Sequence, residues 1–284
     1  ENINPDNLMA AKKRQNKITE YREMLQKWRA HGATTYAGYI IGFPGDTKES
    51  VLHDVEIIKK ELPLDLLEFF YLTPLPGSED HKVLLSKGIW MDPDLNKYDL
   101  NHRVSHHPKM SDEDWEEAYR QAWASYYSDG HIETVLRRAA AHRKGRPGNK
   151  LFLMMWFKLM VECEGVHPLE GGYFRLKFRT DRRGGLPLEN PLVFYPRYLA
   201  EIVAKHWVYL SAVWRVYRIY RRVKASPDRR TYSDLAIAPM DRSEEEDLAM
   251  IRETRGGAEA VAKQLRDAAL SKAGKDRAKA ASAL

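Results

Sequence analysis

The spacing of apolar residues predicts a helix followed by a strand at the start of the chain. Asn4 is a favourable helix N-cap, and Pro5 suits the first helical position, where its missing N–H costs nothing. The apolar residues that follow at helical spacing are Ile18, Tyr21, Leu25 and Trp28. Gly32 ends this helix, which the pattern predicts over residues 5–31. The next run, residues 34–43, is apolar, β-branched and aromatic, which indicates a strand buried on both faces.

A second helix and a second strand complete a crossover unit. Asp46 and Glu49 form a capping-box pattern that predicts a helix start, and Pro63 ends the apolar stripe that follows. Residues 66–72 are a second apolar run, which predicts another buried strand. This order predicts a right-handed βαβ unit with parallel strands. Because one such unit cannot close a sheet, we expect further strands from sequence upstream.

Beyond residue 80 the pattern is helical, with polar connections. Ser111 is the predicted cap of a helix whose apolar stripe is Trp115, Ala118, Tyr119, Ala122, Trp123 and Tyr126. Further helices are predicted over residues 132–142, 150–164 and 197–224, with an extended loop between the last two. The pattern therefore predicts four regions: residues 1–80 with the sheet, a helical extension at 81–146, an aromatic and basic helical region at 147–225, and a polar, flexible tail at 226–284.

Composition narrows the class of protein. The chain has 284 residues, of which 43% are hydrophobic and 11% aromatic, so it can bury a sizeable core and is not a disordered chain or a fibrous rod. Cys163 is the single cysteine. It excludes a disulfide framework, and it excludes an iron–sulfur site built only from cysteines of this chain.

Charge and chain ends give further expectations. The 46 Lys and Arg against 40 Asp and Glu leave a net charge of +6. No export signal opens the chain and no apolar run is long enough to span a bilayer, which predicts a cytoplasmic protein. The first residue is Glu1, close to a helix start, so we expect a C-terminal piece of a longer polypeptide.

Two segments of the predicted βαβ unit resemble one enzyme family. The first is GYIIGFPGDT at residues 38–47, and the second is FFYLTPLPGS at residues 69–78. At this spacing they resemble the fifth and sixth strands of the barrel of radical S-adenosylmethionine (SAM) enzymes, in the branch that carries an N-terminal cobalamin-binding domain. The segment with Met110, Ser111 and the Trp- and Tyr-rich helix is similar to the C-terminal extensions of that branch.

The resemblance implies a fold and an activity for the whole polypeptide. The fold is α/β, with residues 1–80 as the last third of a partial (β/α)6 TIM-like barrel and a mainly helical C-terminal region after it. The activity is reductive cleavage of SAM at a [4Fe-4S] cluster, giving a radical that abstracts hydrogen from an unreactive carbon. Cobalamin is a further cofactor that the branch allows, with methyl transfer as the outcome.

The resemblance also implies where this chain contacts SAM. Gly38, Ile40 and Gly42 alternate along the first strand, so we expect them on one face, where glycines let a flat adenine approach the backbone. In many parallel sheets the same glycine pattern serves packing alone. The turn after the second strand matches the family segment whose backbone meets the adenine edge, and it comprises Leu72, Thr73, Pro74 and Leu75. Pro74 and Pro76 remove two N–H donors and stiffen this turn.

Parts of the family pattern are missing from this chain. The CxxxCxxC loop that holds the cluster, the glycine motif for the SAM amine and the acidic ribose-binding strand are absent. Gly45 stands where the first motif of the family ends in an acidic residue, and Asp46 follows it. We therefore expect the chain to be inactive without the N-terminal portion of the same polypeptide, and we assign it no catalytic residue and no metal ligand.

Two other groups of reactive side chains have simpler explanations. A metal site is conceivable at Asp99, His102, His106 and His107, but the surrounding Asn, Ser and Pro residues favour a surface loop. Glu162 and Glu164 flank Cys163 and do not share a helix face. Acidic neighbours raise the pKa of a thiol, which favours a structural cysteine over a nucleophile.

The helix at residues 197–224 interleaves aromatic and basic side chains. Its simplest interpretation is a helix that packs its aromatic rings inward and extends its arginines to solvent. The next alternative is peripheral contact with an anionic membrane, and nucleic acid is third because residues 151–161 are apolar. The residues assigned to a membrane or partner surface are Trp207, Trp214, Arg215, Arg218 and Arg222.

Together these observations favour a fragment of a radical SAM enzyme that acts on a small-molecule substrate of hydrophobic or lipid-like character. The competing hypothesis is a non-enzymatic, basic helical module that docks membrane or RNA, with the βαβ unit as its scaffold.

Overall fold

The computed structural model describes residues 1–10, 17–172, 176–182, 184–254, 257, 260–267 and 269–271. The chain forms two compact units. Unit 1 comprises Glu1–Tyr126 and Tyr232–Leu284, and unit 2 comprises Tyr127–Thr231.

Unit 1 is built on a parallel βαβ crossover, as the sequence predicts. Strand β1, Tyr36–Ile41, pairs in parallel with β2, Leu66–Tyr71, and helix α3, Lys48–Glu61, connects them. Tyr36 lies opposite Leu66 in this register. The α/β class is therefore confirmed, with two strands in the described sheet. β1 is shorter than the predicted run of residues 34–43, because Thr35 instead binds Asp65 through its N–H at 2.9 Å.

One face of the sheet forms the core of unit 1. Helix α5, Asp112–Tyr126, packs its predicted apolar stripe on β2 and α3. The ring of Phe69 meets the rings of Trp123 and Tyr126 edge to face, with centroids 5.3 and 6.3 Å apart. Asp114 N–H donates to the Ser111 hydroxyl at 3.0 Å, which confirms the predicted cap of α5.

The helix predicted over residues 5–31 is described as two segments, α1 at Pro5–Ala10 and α2 at Ile18–Ala30. Residues 11–16 lie outside the described part of the chain. Gly32 follows α2 with φ of +87°, as a glycine stop requires. The structure adds a short helix that the pattern did not predict, α4 at Glu79–Ser86, which the Ser78 hydroxyl caps through His81 N–H at 3.2 Å.

Part of the predicted polar tail packs on unit 1. Helices α9, Arg242–Glu246, and α10, Ala249–Arg252, lie in this segment. The Glu61 carboxylate of α3 accepts hydrogen bonds from Ala249 N–H and Met250 N–H at 2.7 and 2.8 Å. The buried apolar residues of the segment are Ala236, Leu248, Met250 and Ile251. The predicted boundary at residue 226 therefore differs from the observed one, because these few apolar side chains suffice to dock the segment once α3 supplies an acceptor.

Unit 2 is helical. It contains α6 at Asp129–Ala141, α7 at Pro147–Leu159 and α8 at Pro191–Ala225, and α8 packs against both of the others. α8 begins six residues before the predicted start, because the Asn190 side chain caps Leu192 N–H at 2.9 Å and Pro191 occupies the first turn. Among the helices in the described residues, none has the combination of length and apolar composition that crossing a bilayer requires.

Candidate functional site

The site predicted from the sequence lies at the carboxyl edge of the β1–β2 pair. Its centre is the loop after β1, which Asp46 holds together. One carboxylate oxygen of Asp46 accepts from Gly42 N–H and Phe43 N–H, both at 2.9 Å. The other oxygen accepts from the Asn7 side-chain amide at 2.8 Å. Asp46 is buried, and the loop therefore has a fixed shape.

The capping box predicted for α3 is one residue out of register. The observed N-cap is Thr47, whose hydroxyl accepts from Ser50 N–H at 3.2 Å while the Ser50 hydroxyl accepts from Thr47 N–H at 2.9 Å. Asp46 and Glu49, the predicted pair, do not form the box. The physical reason is that Asp46 turns back toward the end of β1, where two N–H groups need an acceptor.

Burial raises the pKa values of two carboxyl groups in and near this loop. Burial raises the pKa of Asp46, against the effect of the Gly42 and Phe43 N–H groups and the Asn7 amide that bind its charged form. Burial likewise raises the pKa of Asp54 to about 6. The Tyr39 hydroxyl donates to Asp54 at 2.7 Å, on the core side of β1. Both carboxylates are therefore buried, Asp46 within the loop after β1 and Asp54 on the core side of β1.

The three residues predicted to share one face of β1 are not all on it. Gly38 and Ile40 share the face opposite the core, where the ring of Phe70 lies over Gly38 and both Ile40 and Phe70 are half-buried. Gly42 does not share that face. β1 ends at Ile41, and a φ of +112° at Gly42 breaks the alternation. A Cβ at Gly42 would overlap the indole of Trp115, so close packing explains this glycine.

The turn after β2 lies beside the loop after β1. Leu72 N–H donates to Ile41 C=O at 2.8 Å, which joins the two predicted motifs directly. Pro74 is buried, Leu75 is exposed, and Leu72 and Thr73 are half-buried. Within the described chain, neither Thr73 N–H nor Leu75 N–H has a protein acceptor. Within the described residues, the turn therefore has two backbone donors that a ligand could use.

A histidine and a tryptophan from distant sequence complete the loop. His107 Nδ1 accepts from Met110 N–H and Lys109 N–H at 3.0 and 3.1 Å, which assigns the ring proton to Nε2. Nε2 then donates to Phe43 C=O at 2.9 Å. The Trp115 indole N–H donates to Ile41 C=O at 3.3 Å. No local signal in the sequence links either side chain, or Asn7, to the loop after β1.

The histidines weighed as metal ligands bind other partners. His102 contacts Asp99 at 2.8 Å and His106 contacts Asp112 at 2.9 Å. Across the described residues, no group of three or more acidic, His or Cys side chains is placed to hold a metal ion. His102 and His106 are exposed, as a surface loop predicts, whereas His107 is buried against the loop after β1.

No protein-family model and no curated protein matches this chain. What the edge can do chemically follows from its own groups. The edge offers the half-buried apolar side chains of Ile40 and Phe70 and, in the turn after β2, the N–H groups of Thr73 and Leu75.

The cluster implied by the resemblance does not fit the groups of this chain. A [4Fe-4S] cluster needs several thiolates, and Cys163 is the single cysteine. Burial, followed by the charges of Glu162 and Glu164, raises the pKa of the Cys163 thiol, in the direction that the sequence predicts. Both acids pair with lysines, Glu162 with Lys158 and Glu164 with Lys205, at 2.7 Å each.

The aromatic and basic residues of α8 divide between its faces. Tyr209 is buried, whereas Trp207 and Trp214 are exposed. Arg222 pairs with Glu133 at 2.8 Å, and Arg215 lies 3.8 Å from Asp129, so both arginines face α6. Arg218 is exposed. The inward-packing interpretation thus describes only part of the helix.

Proposed function

We propose that this chain is the C-terminal portion of a cobalamin-type radical SAM enzyme, and that the carboxyl edge of β1 and β2 contacts the adenine of SAM. In this proposal β1, α3 and β2 are the last part of a partial (β/α)6 barrel. The substrate class is a hydrophobic or lipid-like small molecule, and the location is cytoplasmic with peripheral membrane contact.

One observation is the main support for the proposal. Two motifs separated by a whole helix meet at one edge, where Leu72 N–H and Ile41 C=O form a bond of 2.8 Å. In open and barrel-forming parallel sheets, ligands bind outside the carboxyl ends of the strands. The motifs that carry the family resemblance therefore coincide with the part of the fold where a ligand is expected.

The groups at this edge suit adenine in kind. Ile40 and Phe70 offer apolar contact to the ring faces, and the Thr73 and Leu75 N–H groups can donate to ring nitrogens. Pro74 and Pro76 hold the turn that presents these donors. The Asp46 network fixes the adjoining loop, which favours a preformed contact surface.

The other edge of β1 suits a further strand. In a parallel ladder alternate residues direct their backbone groups to opposite edges, and those of Gly38 and Ile40 point away from β2. Ile40 N–H donates to Glu1 C=O at 2.8 Å, so the backbone of Glu1 already lies at that edge. The proposal assigns the rest of the edge to the N-terminal portion of the same polypeptide.

In the proposed enzyme this chain positions SAM and does not react with it. SAM cleaved reductively at a [4Fe-4S] cluster supplies the radical chemistry, and cobalamin supplies methyl transfer if the branch assignment holds. Ile40 and Phe70 exclude water from one side of the adenine. The Thr73 and Leu75 N–H groups orient its polar rim.

Cluster assembly tests this assignment. We expect the polypeptide translated from the full reading frame to contain an upstream CxxxCxxC and to bind a [4Fe-4S] cluster after anaerobic reconstitution. The 284-residue chain should bind none, because cluster binding needs three positioned thiolates and one cysteine is present. Visible absorbance and iron content measure both. A stoichiometric cluster on the 284-residue chain, or a full reading frame without these cysteines, would overturn the proposal.

A second candidate function is supported by the exposed aromatic face of α8. Trp207 and Trp214 are largely exposed on a helix in a basic unit. A non-enzymatic module that docks a membrane or RNA would use such a face and would need no cluster. A reading frame that opens near Glu1 favours this candidate.

A further inference from the structure

Helix α8 has two apolar faces on opposite sides. The inward face is buried on α6 and α7, and its residues are Tyr209, Ala212, Val216, Ile219 and Val223. The outward face carries large apolar side chains three, four or seven residues apart, which places them in one row. We call this row the outer stripe, and its residues are Leu192, Leu199, Val203, Trp207, Leu210 and Trp214.

The outer stripe is unusual for a surface that meets only water. Leu192 is 83% exposed, Trp207 75% and Trp214 63%. From Leu192 to Trp214 the row is about 33 Å long at 1.5 Å per residue. Apolar patches on monomeric proteins rarely exceed a few hundred Å² unless something binds them.

The segment before α8 also exposes apolar side chains, but it does not extend the outer stripe. Its exposed apolar side chains are Leu176, Phe178, Leu186 and Leu188. Lys177 N–H donates to the Tyr198 hydroxyl at 3.3 Å, and the Lys177 ammonium pairs with Glu201 at 2.7 Å. By helical spacing Tyr198 and Glu201 lie on the side of the inward face, so the outer stripe remains a separate surface.

The charge of unit 2 indicates an anionic occupant. Residues 127–231 contain 21 Lys and Arg against 9 Asp and Glu, a net charge of +12, whereas the whole chain carries +6. The remaining residues of the chain are therefore net negative. A second copy of unit 2 would be repelled at this charge, which argues against self-association through the stripe.

Two arginines extend the outer stripe at its C-terminal end. Arg218 and Arg221 follow Trp214 by four and seven residues, so they lie on the same side of α8. Both are exposed, and neither has a carboxylate within 4 Å in the described part of the chain. By contrast, Arg215 and Arg222 lie on the flank toward Asp129 and Glu133.

We propose that the outer stripe docks on an anionic lipid bilayer, with α8 lying in the plane of the interface. Leu199, Val203 and Leu210 enter the boundary between headgroups and acyl chains, Trp207 and Trp214 lie at headgroup level, and Arg218 and Arg221 bind lipid phosphates. Most residues of the stripe are aliphatic, which favours a bilayer over RNA. An RNA-binding surface would instead need aromatic rings that stack on bases, with cations between them. The inference does not depend on the proposed enzymatic function.

Vesicle co-sedimentation of the full chain tests this docking. The vesicles are phosphatidylcholine with or without phosphatidylglycerol, at low and at high salt. We expect binding to phosphatidylglycerol vesicles that weakens at high salt, and weak binding to phosphatidylcholine alone. Changing Trp207 and Trp214 to Ser should lower the partition coefficient at least tenfold, and changing Arg218 and Arg221 to Gln should lower it about 30-fold.

The matched control changes Arg215 and Arg222 to Gln. This control removes the same charge from the same helix, on the flank that faces α6, and should lower the partition coefficient less than threefold. Circular dichroism confirms helix content in each variant. The proposal is overturned if wild type does not sediment with anionic vesicles, if the two arginine pairs behave alike, or if a single-stranded RNA oligonucleotide displaces the vesicles. The proposal is also overturned if wild type forms a dimer that is lost in the tryptophan variant and does not bind vesicles.

Discussion

Gly42 is subject to two constraints, one from its backbone and one from packing. Its φ of +112° lies where L side chains are rarely found, and the indole of Trp115 occupies the space of a Cβ. The indole is itself bonded to Ile41 C=O, so it is not free to move away. A substitution at Gly42 therefore tests the fold of unit 1 and says little about cofactor binding.

Gly77 provides a matched control for this interpretation. Its φ is +89°, and nothing lies within 4 Å of an added Cβ. We expect Gly77→Ala to lower the free energy of unfolding by about 1–2 kcal/mol through backbone strain alone. Gly42→Ala adds overpacking and should cost about 3 kcal/mol or more. Urea unfolding followed by circular dichroism measures both, and equal costs would mean that Trp115 moves aside freely.

Local sequence predicts some residue contacts of the candidate site and misses others. The glycine and proline positions of both motifs are readable, and so is the raised thiol pKa of Cys163, because each depends on near neighbours. The network of Asp46 is not readable. Its partner Asn7 is 39 residues away, and His107 reaches Phe43 across 64 residues. Hydrogen bonds at that separation depend on the fold, and no spacing rule encodes them.

Among the elements, α3 has a role that its own sequence does not reveal. Glu61, in its last turn, binds the first N–H groups of α10 and so fixes the C-terminal segment of unit 1. Arg22 of α2 reinforces this docking through Glu245 at 2.8 Å and through Leu235 C=O at 3.0 Å. Two charged side chains thus tie the segment to helices that lie 188 to 223 residues earlier.

Removing the Glu61 carboxylate should release α10. Glu61→Ala leaves two N–H groups without their acceptor, at a cost of about 2 kcal/mol. Hydrogen exchange at Ala249 and Met250 should then accelerate about 30-fold, because local opening becomes easier by that amount. Glu253→Ala is the control, since the Glu253 side chain is exposed and contacts His53. Unchanged exchange in Glu61→Ala would show that apolar burial alone holds the segment.

Element types were more predictable than element ends. The stripe of α5 and the crossover of β1, α3 and β2 follow from apolar periodicity, which persists over many residues. The predicted start of α8 is six residues too late, because the Asn190 side chain caps the helix earlier. The predicted N-cap of α3 is one residue too early, because Thr47 and not Asp46 forms the capping box. End positions depend on a single hydrogen bond, so a competing polar side chain shifts them.

The two units differ in net charge: residues 127–231 carry +12, whereas the rest of the chain is net negative. Unit 2 carries the excess of Lys and Arg together with the outer stripe, and unit 1 contains the βαβ crossover with the candidate site. The sequence predicts four consecutive regions, whereas the chain returns to unit 1 after residue 231. Composition along the chain does not reveal such a return, because the docking depends on Glu61 and Arg22.

We propose that the carboxyl edge of β1 and β2 contacts the adenine of SAM. The most direct measurement is calorimetric titration of SAM into the polypeptide translated from the full reading frame, under anaerobic conditions and at equal cluster content. Ile40→Val keeps the apolar contact and should bind SAM as wild type does. Ile40→Asp places a charge against the ring and should weaken SAM binding at least about tenfold. Wild-type affinity in Ile40→Asp, or no SAM binding by the wild-type polypeptide, would show that this edge does not contact the adenine.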